Sequence, residues 1–371
     1  MEDRPVDNIE LRANQLSQAR HELARVIVGQ DRMTERVMAC LLAGGHALLE
    51  GVPGLGKTLT LATLARIVGG TFNRIQFTSD MIPADIVGTR IYRMSDETFD
   101  VEPGPVFANI VLADEINRAP AKVQSALLEV MGERQVTIGG RTMAAPVPFL
   151  VVATQNPIES EGVYPLPEAQ RDRFLMRIPV DYPTPAEERE IVHRMEIEPP
   201  VASRLLGADD VAALQELTTR VVVEPAVSEY ALTLVLATRE PARYGVPELA
   251  RLLEYGASPR ASIGLVRAAR AMALLRGRMY ATAQDVYDVA YDILNGRLIL
   301  SYTAIADGRT VGDVLHRLLT SIKAPYPVIP SQPAPAPGFT SGPVVVAAGS
   351  PAPPSTGSPA PSAAPTWIVP A

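Results

Sequence analysis

GVPGLGKTLT, Gly51 to Thr60, sits between the apolar run HALLE, 46–50, and the helical pattern TLTLATLARIV, 58–68. Its spacing fits G-x-x-x-x-G-K-[ST], with Gly51, Gly56, Lys57 and Thr58 in the four defined places. A chance match somewhere in a chain of this length is roughly a one-in-a-hundred event. Strand, glycine loop, helix is the order that a phosphate-gripping loop needs, because successive backbone N–H groups then face the phosphate oxygens and the helix adds its positive end. Lys57 is placed to reach the β and γ phosphates and Thr58 to ligate Mg²⁺. Pro53, Gly54, Leu55 and Leu59 fill the rest of this nucleotide-contacting stretch. A plain glycine turn is the competing reading, and the rest of the chain has to decide.

Two further strand ends bear on that decision. In NIVLADEINRAP, 109–120, an apolar run leads to Asp114 and Glu115, which puts two carboxylates at the carboxyl end of a strand, where open α/β sheets bind ligands. Asp114 then holds magnesium and Glu115 polarises the attacking water; an acidic helix cap after a buried strand is the alternative. FLVVATQNP, 149–157, ends a third apolar run at Asn156, a neutral amide suited to orienting that water, although Asn before Pro is also an ordinary turn signal. LPEAQRDRFLMRI, 166–178, carries Arg171 and Arg173; either neutralises charge in phosphoryl transfer, or pairs on the surface with Asp172 or Glu168. GASPRAS, 256–262, starts a helix by a Ser-Pro entry and sets Arg260 there, either toward the nucleotide or toward solvent.

The three apolar strands alternate with helical patterns such as KVQSALLEVM, 122–131, which predicts an α/β sandwich on a parallel sheet covered on both faces. From about 184 to 323 the patterns are helical, as in YALTLVLATR and AQDVYDVAYDIL, and predict a smaller all-α domain. After Lys323 no charged residue occurs and Pro, Ala, Ser and Gly dominate, so this tail is expected to be disordered. The expected organisation is a P-loop core at 1–182, a helical lid at 183–323 and the Pro/Ala-rich tail at 324–371.

With 34 Lys and Arg against 41 Asp and Glu, the net charge of -7 opposes a nucleic-acid partner. The single cysteine, Cys40, excludes an internal disulfide and a cysteine metal cluster, and reads as filler on a buried helix face. MEDRPVDNIE is polar and no apolar stretch approaches membrane-spanning length, so no membrane insertion and a cytoplasmic location are expected.

Taken together the motifs resemble an AAA+ ATPase of the MoxR family over about residues 20 to 320. GVPGLGKT resembles its Walker A, VLADEINRAPAKVQSALLEVM its Walker B and the helix after it, ATQNPIESEGVYPLPEAQ its sensor 1 region and GASPRA its sensor 2. The resemblance implies an AAA+ three-layer αβα sandwich with a lid, and a homo-oligomeric ring, usually hexameric, with ATP held between neighbours. It assigns Asn156 to sensor 1, Arg173 to a finger presented to the next subunit, and Arg260 to sensor 2. In VIVGQ it gives Val28, Gly29 and Gln30 to the adenine pocket. It also implies two hairpin insertions, one within 77–107 and one in RQVTIGGRTMAAPVPF with Gly139 and Gly140 at the turn. Arg171 and the segment NGRLIL, 295–300, depart from the family pattern.

The function implied is ATP-driven remodelling or maturation of a client protein with a von Willebrand factor A domain partner. No DxSxS metal-binding run occurs in this chain, so that partner is a separate protein. Readings from other classes are a nucleic-acid-directed motor, a metal-chelatase-like motor subunit and a scaffold that binds nucleotide without hydrolysing it. The acidic balance opposes the first, partner identity separates the second, and Glu115 argues against the third, since a scaffold has no use for a water-activating carboxylate.

Overall fold

The computed structural model describes residues 9–95, 97–157, 162–196 and 200–326; the expected tail, beyond 326, lies outside the described residues. Helices α1 (Ile9–Val26) and α2 (Asp31–Leu42) lead into β1 (Ala47–Glu50), α3 (Lys57–Ile67) and β2 (Phe72–Gln76). A short α4 (Pro83–Val87) and the hairpin β3 (Gly88–Arg93) and β4 (Thr98–Pro103) follow, then β5 (Ile110–Asp114) and α5 (Ala121–Glu133). The hairpin β6 (Gln135–Ile138) and β7 (Arg141–Ala144), β8 (Leu150–Gln155), α6 (Glu168–Arg171) and β9 (Met176–Pro179) complete the sheet domain. Helices α7 (Pro185–Met195), α8 (Ala208–Arg220), α9 (Pro225–Arg239), α10 (Pro259–Leu275), α11 (Ala283–Leu294), α12 (Tyr302–Ala306) and α13 (Val311–Ser321) form the lid, with two short strand pairings among them.

The central sheet runs β2-β5-β8-β1-β9 and is parallel throughout. Its inner strands are buried to their last residue, which is half-exposed in each case: Glu50, Asp114 and Gln155. Alternation divides their side chains between two apolar cores. Ala47, Leu49, Ile110, Leu112, Leu150 and Val152 join α1, α2, α3 and the lid helices on one face. Leu48, Val111, Ala113, Val151 and Ala153 meet Phe77, Phe149 and α5 on the other. A sheet covered in this way must be built from continuous Val, Ile and Leu runs, which is why these strands were legible. The fold is the expected three-layer αβα sandwich followed by a helical lid.

Both hairpins form where expected, and Gly139 and Gly140 take φ of 56° and 83° at the tip of the second, the paired positive values that a two-residue turn requires. Strand β2 was not anticipated. FNRIQ lies at the sheet edge, half-exposed and without an apolar run, so its only signal is the need for a strand after α3. Charged groups fasten α2 to the lid: the fully buried carboxylate of Asp292 takes Arg36 at 3.0 Å and Arg32 at 2.5 Å. Cys40 is buried, as its filler role implies, and burial pushes its thiol pKa up. Among the described residues no helix is long and apolar enough to cross a membrane.

His46, just before β1, is a buried titratable group in the core. Its Nδ1 accepts from the Val151 N–H at 3.0 Å while Nε2 lies 3.2 Å from the Met131 carbonyl, an arrangement that only the neutral ring satisfies. Burial lowers its pKa from 6.5 to about 4. The unfolded ring therefore binds a proton between about pH 6.5 and 4 that the folded one refuses, so stability is lost as pH falls through that window. A shift of this size corresponds to about 3 kcal/mol. Between pH 7 and 4, wild type is expected to lose about that much more unfolding free energy than His46→Asn in urea titrations. Equal slopes in the two proteins would remove His46 as the cause.

Candidate active site

A cavity of about 360 Å³ opens at the carboxyl ends of β1, β5 and β8, lined by Gly51, the segment 53–59, Arg74, Asp114, Glu115, Thr154, Gln155 and Asn156. The topology puts it there: β1 lies between β8 and β9, so the connections leaving β1 and β8 cross in opposite directions and leave a crevice at the strand ends. Every residue that the sequence assigned to the glycine loop, both carboxylates and Asn156 meet in this one place.

The loop's glycines are needed for two different reasons. A Cβ on Gly51 would lie 2.5 Å from the Val180 carbonyl, so space forbids it. Gly56 meets nothing within 4 Å but has φ of 76°, and it caps α3 in that left-handed conformation. Lys57 follows as the first residue of α3, its Nζ donating to the Gly51 carbonyl at 2.6 Å across the loop. Burial lowers its pKa, opposed by the charges of Asp114, Glu115 and Glu50.

Asp114 is gripped from two sides. Arg74, on β2, places Nη2 at 2.7 Å and Nε at 3.1 Å from Oδ2, and the Thr154 hydroxyl donates to Oδ1 at 2.6 Å. The same hydroxyl accepts the Glu115 N–H at 2.8 Å, so one side chain on β8 sets both acidic residues. Glu115 has φ of 57°, a left-handed backbone that costs a non-glycine residue about 1 kcal/mol or more. That turn delivers its carboxylate to Gln76 Nε2 at 2.7 Å and Arg118 Nε at 3.0 Å. Arg74, Gln76 and Thr154 escaped the sequence reading. Thr154 stood inside the quoted apolar strand, while the other two ride on the unanticipated edge strand.

These donors suit a magnesium ion bound together with phosphates. Thr58 and Asp114 offer a hydroxyl and a carboxylate, hard oxygens of the kind Mg²⁺ takes along with waters and substrate phosphates. Among the described residues no group of three or more His, Cys, Asp or Glu makes a cage of its own. The guanidinium of Arg74 already sits on Asp114 as a cation, the charge that a metal would bring.

Other expected site residues lie outside this cavity. Val28, Gly29 and Gln30 form the turn between α1 and α2; Gln30 has φ of 58° and its amide donates to the Asp181 carbonyl at 2.8 Å. Arg173 is exposed and donates to the Leu128 carbonyl of α5 at 2.5 Å. Arg171 is partly buried and 3.3 Å from Glu168, one of the two local pairings that the sequence offered as the alternative to a catalytic role. Arg260 stands at the first turn of α10, 3.5 Å from Asp172.

Comparison with known proteins places this site among relatives. Residues 46–176 match the family described as ATPase family associated with various cellular activities (AAA), and 249–318 match the AAA lid domain. Chaperone MoxR1 of Mycobacterium tuberculosis is 54% identical over 90% of this chain and 88% of its own. Protein MoxR of Methylorubrum extorquens is 33% identical over 82% of this chain and 93% of its own. A crystal structure of a candidate ATPase from Cytophaga hutchinsonii is 45% identical and superposes with a TM-score of 0.81, covering 85% of this chain and 96% of that one.

Proposed function

Because the chain belongs to the MoxR family of AAA+ ATPases, we propose that it hydrolyses ATP in a hexameric cytoplasmic ring to remodel or mature a client protein. In this reading a separate protein with a von Willebrand factor A domain serves as its partner. We assign the ATPase core to 1–182 and the lid to 183–323.

The observation that carries the reading is the convergence of three strand ends on one cavity: Lys57 and Thr58 after β1, Asp114 and Glu115 after β5, Asn156 after β8. Lys57 gives up the Gly51 carbonyl for the β and γ phosphates, a direct exchange because that carbonyl belongs to the same loop. Mg²⁺, held by Thr58 and Asp114 with the nucleotide, supplies positive charge for the phosphates. Glu115 accepts the proton of the attacking water and Asn156 orients it. Gln76 and Arg118 hold the Glu115 carboxylate until water and phosphate are in place. Val28, Gly29 and Gln30 contact adenine, Arg173 reaches the phosphate of the neighbouring subunit, and Arg260 reads the nucleotide from the lid.

The test is phosphate release by the purified full chain together with its sedimentation at saturating ATP and Mg²⁺. Turnover accompanied by ATP-driven assembly of a ring is expected. Lys57→Ala is expected to weaken nucleotide binding at least about tenfold, the worth of a lost charged hydrogen bond to phosphate, and with it both signals. A wild-type chain that stays a single protomer and releases no phosphate overturns the reading.

A further inference from the structure

The carboxylate of Asp172 receives the lid from three directions. Ser258 Oγ, the N-cap of α10, lies 3.0 and 2.9 Å from its two oxygens. Arg297 Nε donates to Oδ1 at 2.8 Å, and Arg260 Nη1 stands 3.5 Å from Oδ2. These grips differ in strength. Arg297 is 5% exposed and also donates to the carbonyls of Phe174 at 2.6 Å and Leu175 at 3.2 Å, so it is built into the junction between lid and sheet domain. Arg260 is 61% exposed and, among the described residues, its side chain has only the long contact.

From this asymmetry we propose that Asp172 is a positioning residue that holds Arg260 away from the nucleotide until a γ phosphate competes for it. The inference rests on the reading of Arg260 as a nucleotide-facing arginine. When Arg260 leaves, Asp172 keeps Arg297 and Ser258, so no partly buried carboxylate is stranded without a partner and the exchange is cheap. The contact that breaks is a long, solvent-screened pair, so the bias it exerts is small and a γ phosphate overcomes it. ADP offers no such competitor. Asp172 thus sets how strongly the protein prefers ATP over ADP. The sequence position fits a relay, because Asp172 adjoins Arg173 and Arg297 clamps the backbone carbonyls on either side of that residue.

The experiment measures displacement of a fluorescent nucleotide by ADP and by a slowly hydrolysed ATP analogue, at fixed Mg²⁺, on the full chain. Asp172→Asn is expected to raise the preference for the ATP analogue about three- to fivefold, in line with a weak exposed ion pair, with ADP affinity unchanged. Arg297→Gln is expected to lower it, because Asp172 then lacks its main counter-charge and grips Arg260 harder. In an Arg260→Ala background both shifts are expected to vanish. Either substitution alone decides if the other yields no folded protein. Equal shifts for both nucleotides, or shifts that survive without Arg260, overturn the proposal while leaving the ATPase reading intact. A wild-type chain that binds neither nucleotide defeats the ATPase reading instead.

Discussion

Replacing Glu115 by glutamine is expected to cut ATP turnover by about 10²- to 10⁴-fold while nucleotide binding holds, the range that removal of a general base produces. Shape is conserved in this exchange, and the side chain keeps contact with Gln76 at 2.7 Å and Arg118 at 3.0 Å through its oxygen, so the left-handed turn at Glu115 has no reason to change. The proton acceptor is what disappears, since the amide cannot take the proton that the attacking water must lose. Asp114, Thr154 and Lys57 are untouched, so the phosphate cradle persists. A lost kcat with unchanged affinity marks an interaction made only in the transition state. Phosphate release measured beside direct binding of labelled ATP separates the two quantities. Turnover within about threefold of wild type would take Glu115 out of the role assigned to it.

How much of this site could be read without coordinates follows from where each residue sits in the sheet. Asp114 and Asn156 were found because each stands at the end of a strand buried on both faces, and such strands announce themselves as unbroken apolar runs that stop at a polar residue, whereas Lys57, the first residue of α3, was found from the spacing of the glycine loop. Arg74 and Gln76 were missed because β2 is an edge strand with solvent along it, and nothing in FNRIQ marks a buried face. Thr154 was missed for the opposite reason: a β-branched residue at 1% exposure in an apolar run reads as packing, and only the structure shows its hydroxyl shared by Asp114 and Glu115. Arg297 belongs to a third kind. Its neighbours in the fold, Asp172 to Leu175, lie more than a hundred residues away in the chain, and no local pattern reports a contact of that range. Gly139 and Gly140 were legible as the turn of the hairpin that the family resemblance implied, because a two-residue turn calls for positive φ at both positions.

Arg173→Ala is expected to reduce turnover by about 10³-fold or more, the worth of an arginine supplied to a phosphoryl-transfer transition state from a neighbour. Stability should change little, because the side chain is exposed and its one described bond is to the Leu128 carbonyl of α5. Within its own protomer Arg173 does not line the cavity, so a large kinetic effect has to travel between chains. Mixing distinguishes this from a distortion inside one chain. A subunit with Arg173→Ala keeps Lys57, Asp114 and Glu115; a subunit with Glu115→Gln keeps its arginine. In a head-to-tail ring built from equal amounts of both, about a quarter of the seams join an intact carboxylate to an intact arginine. Two nearly inactive preparations are therefore expected to recover about a quarter of wild-type activity when combined and reassembled with ATP. An arginine acting only inside its own subunit gives no recovery, because every chain in the mixture then lacks one catalytic part. Silent mixed rings, with both variants shown by sedimentation to co-assemble and bind ATP, would place the arginine outside the seam and leave each subunit to hydrolyse alone.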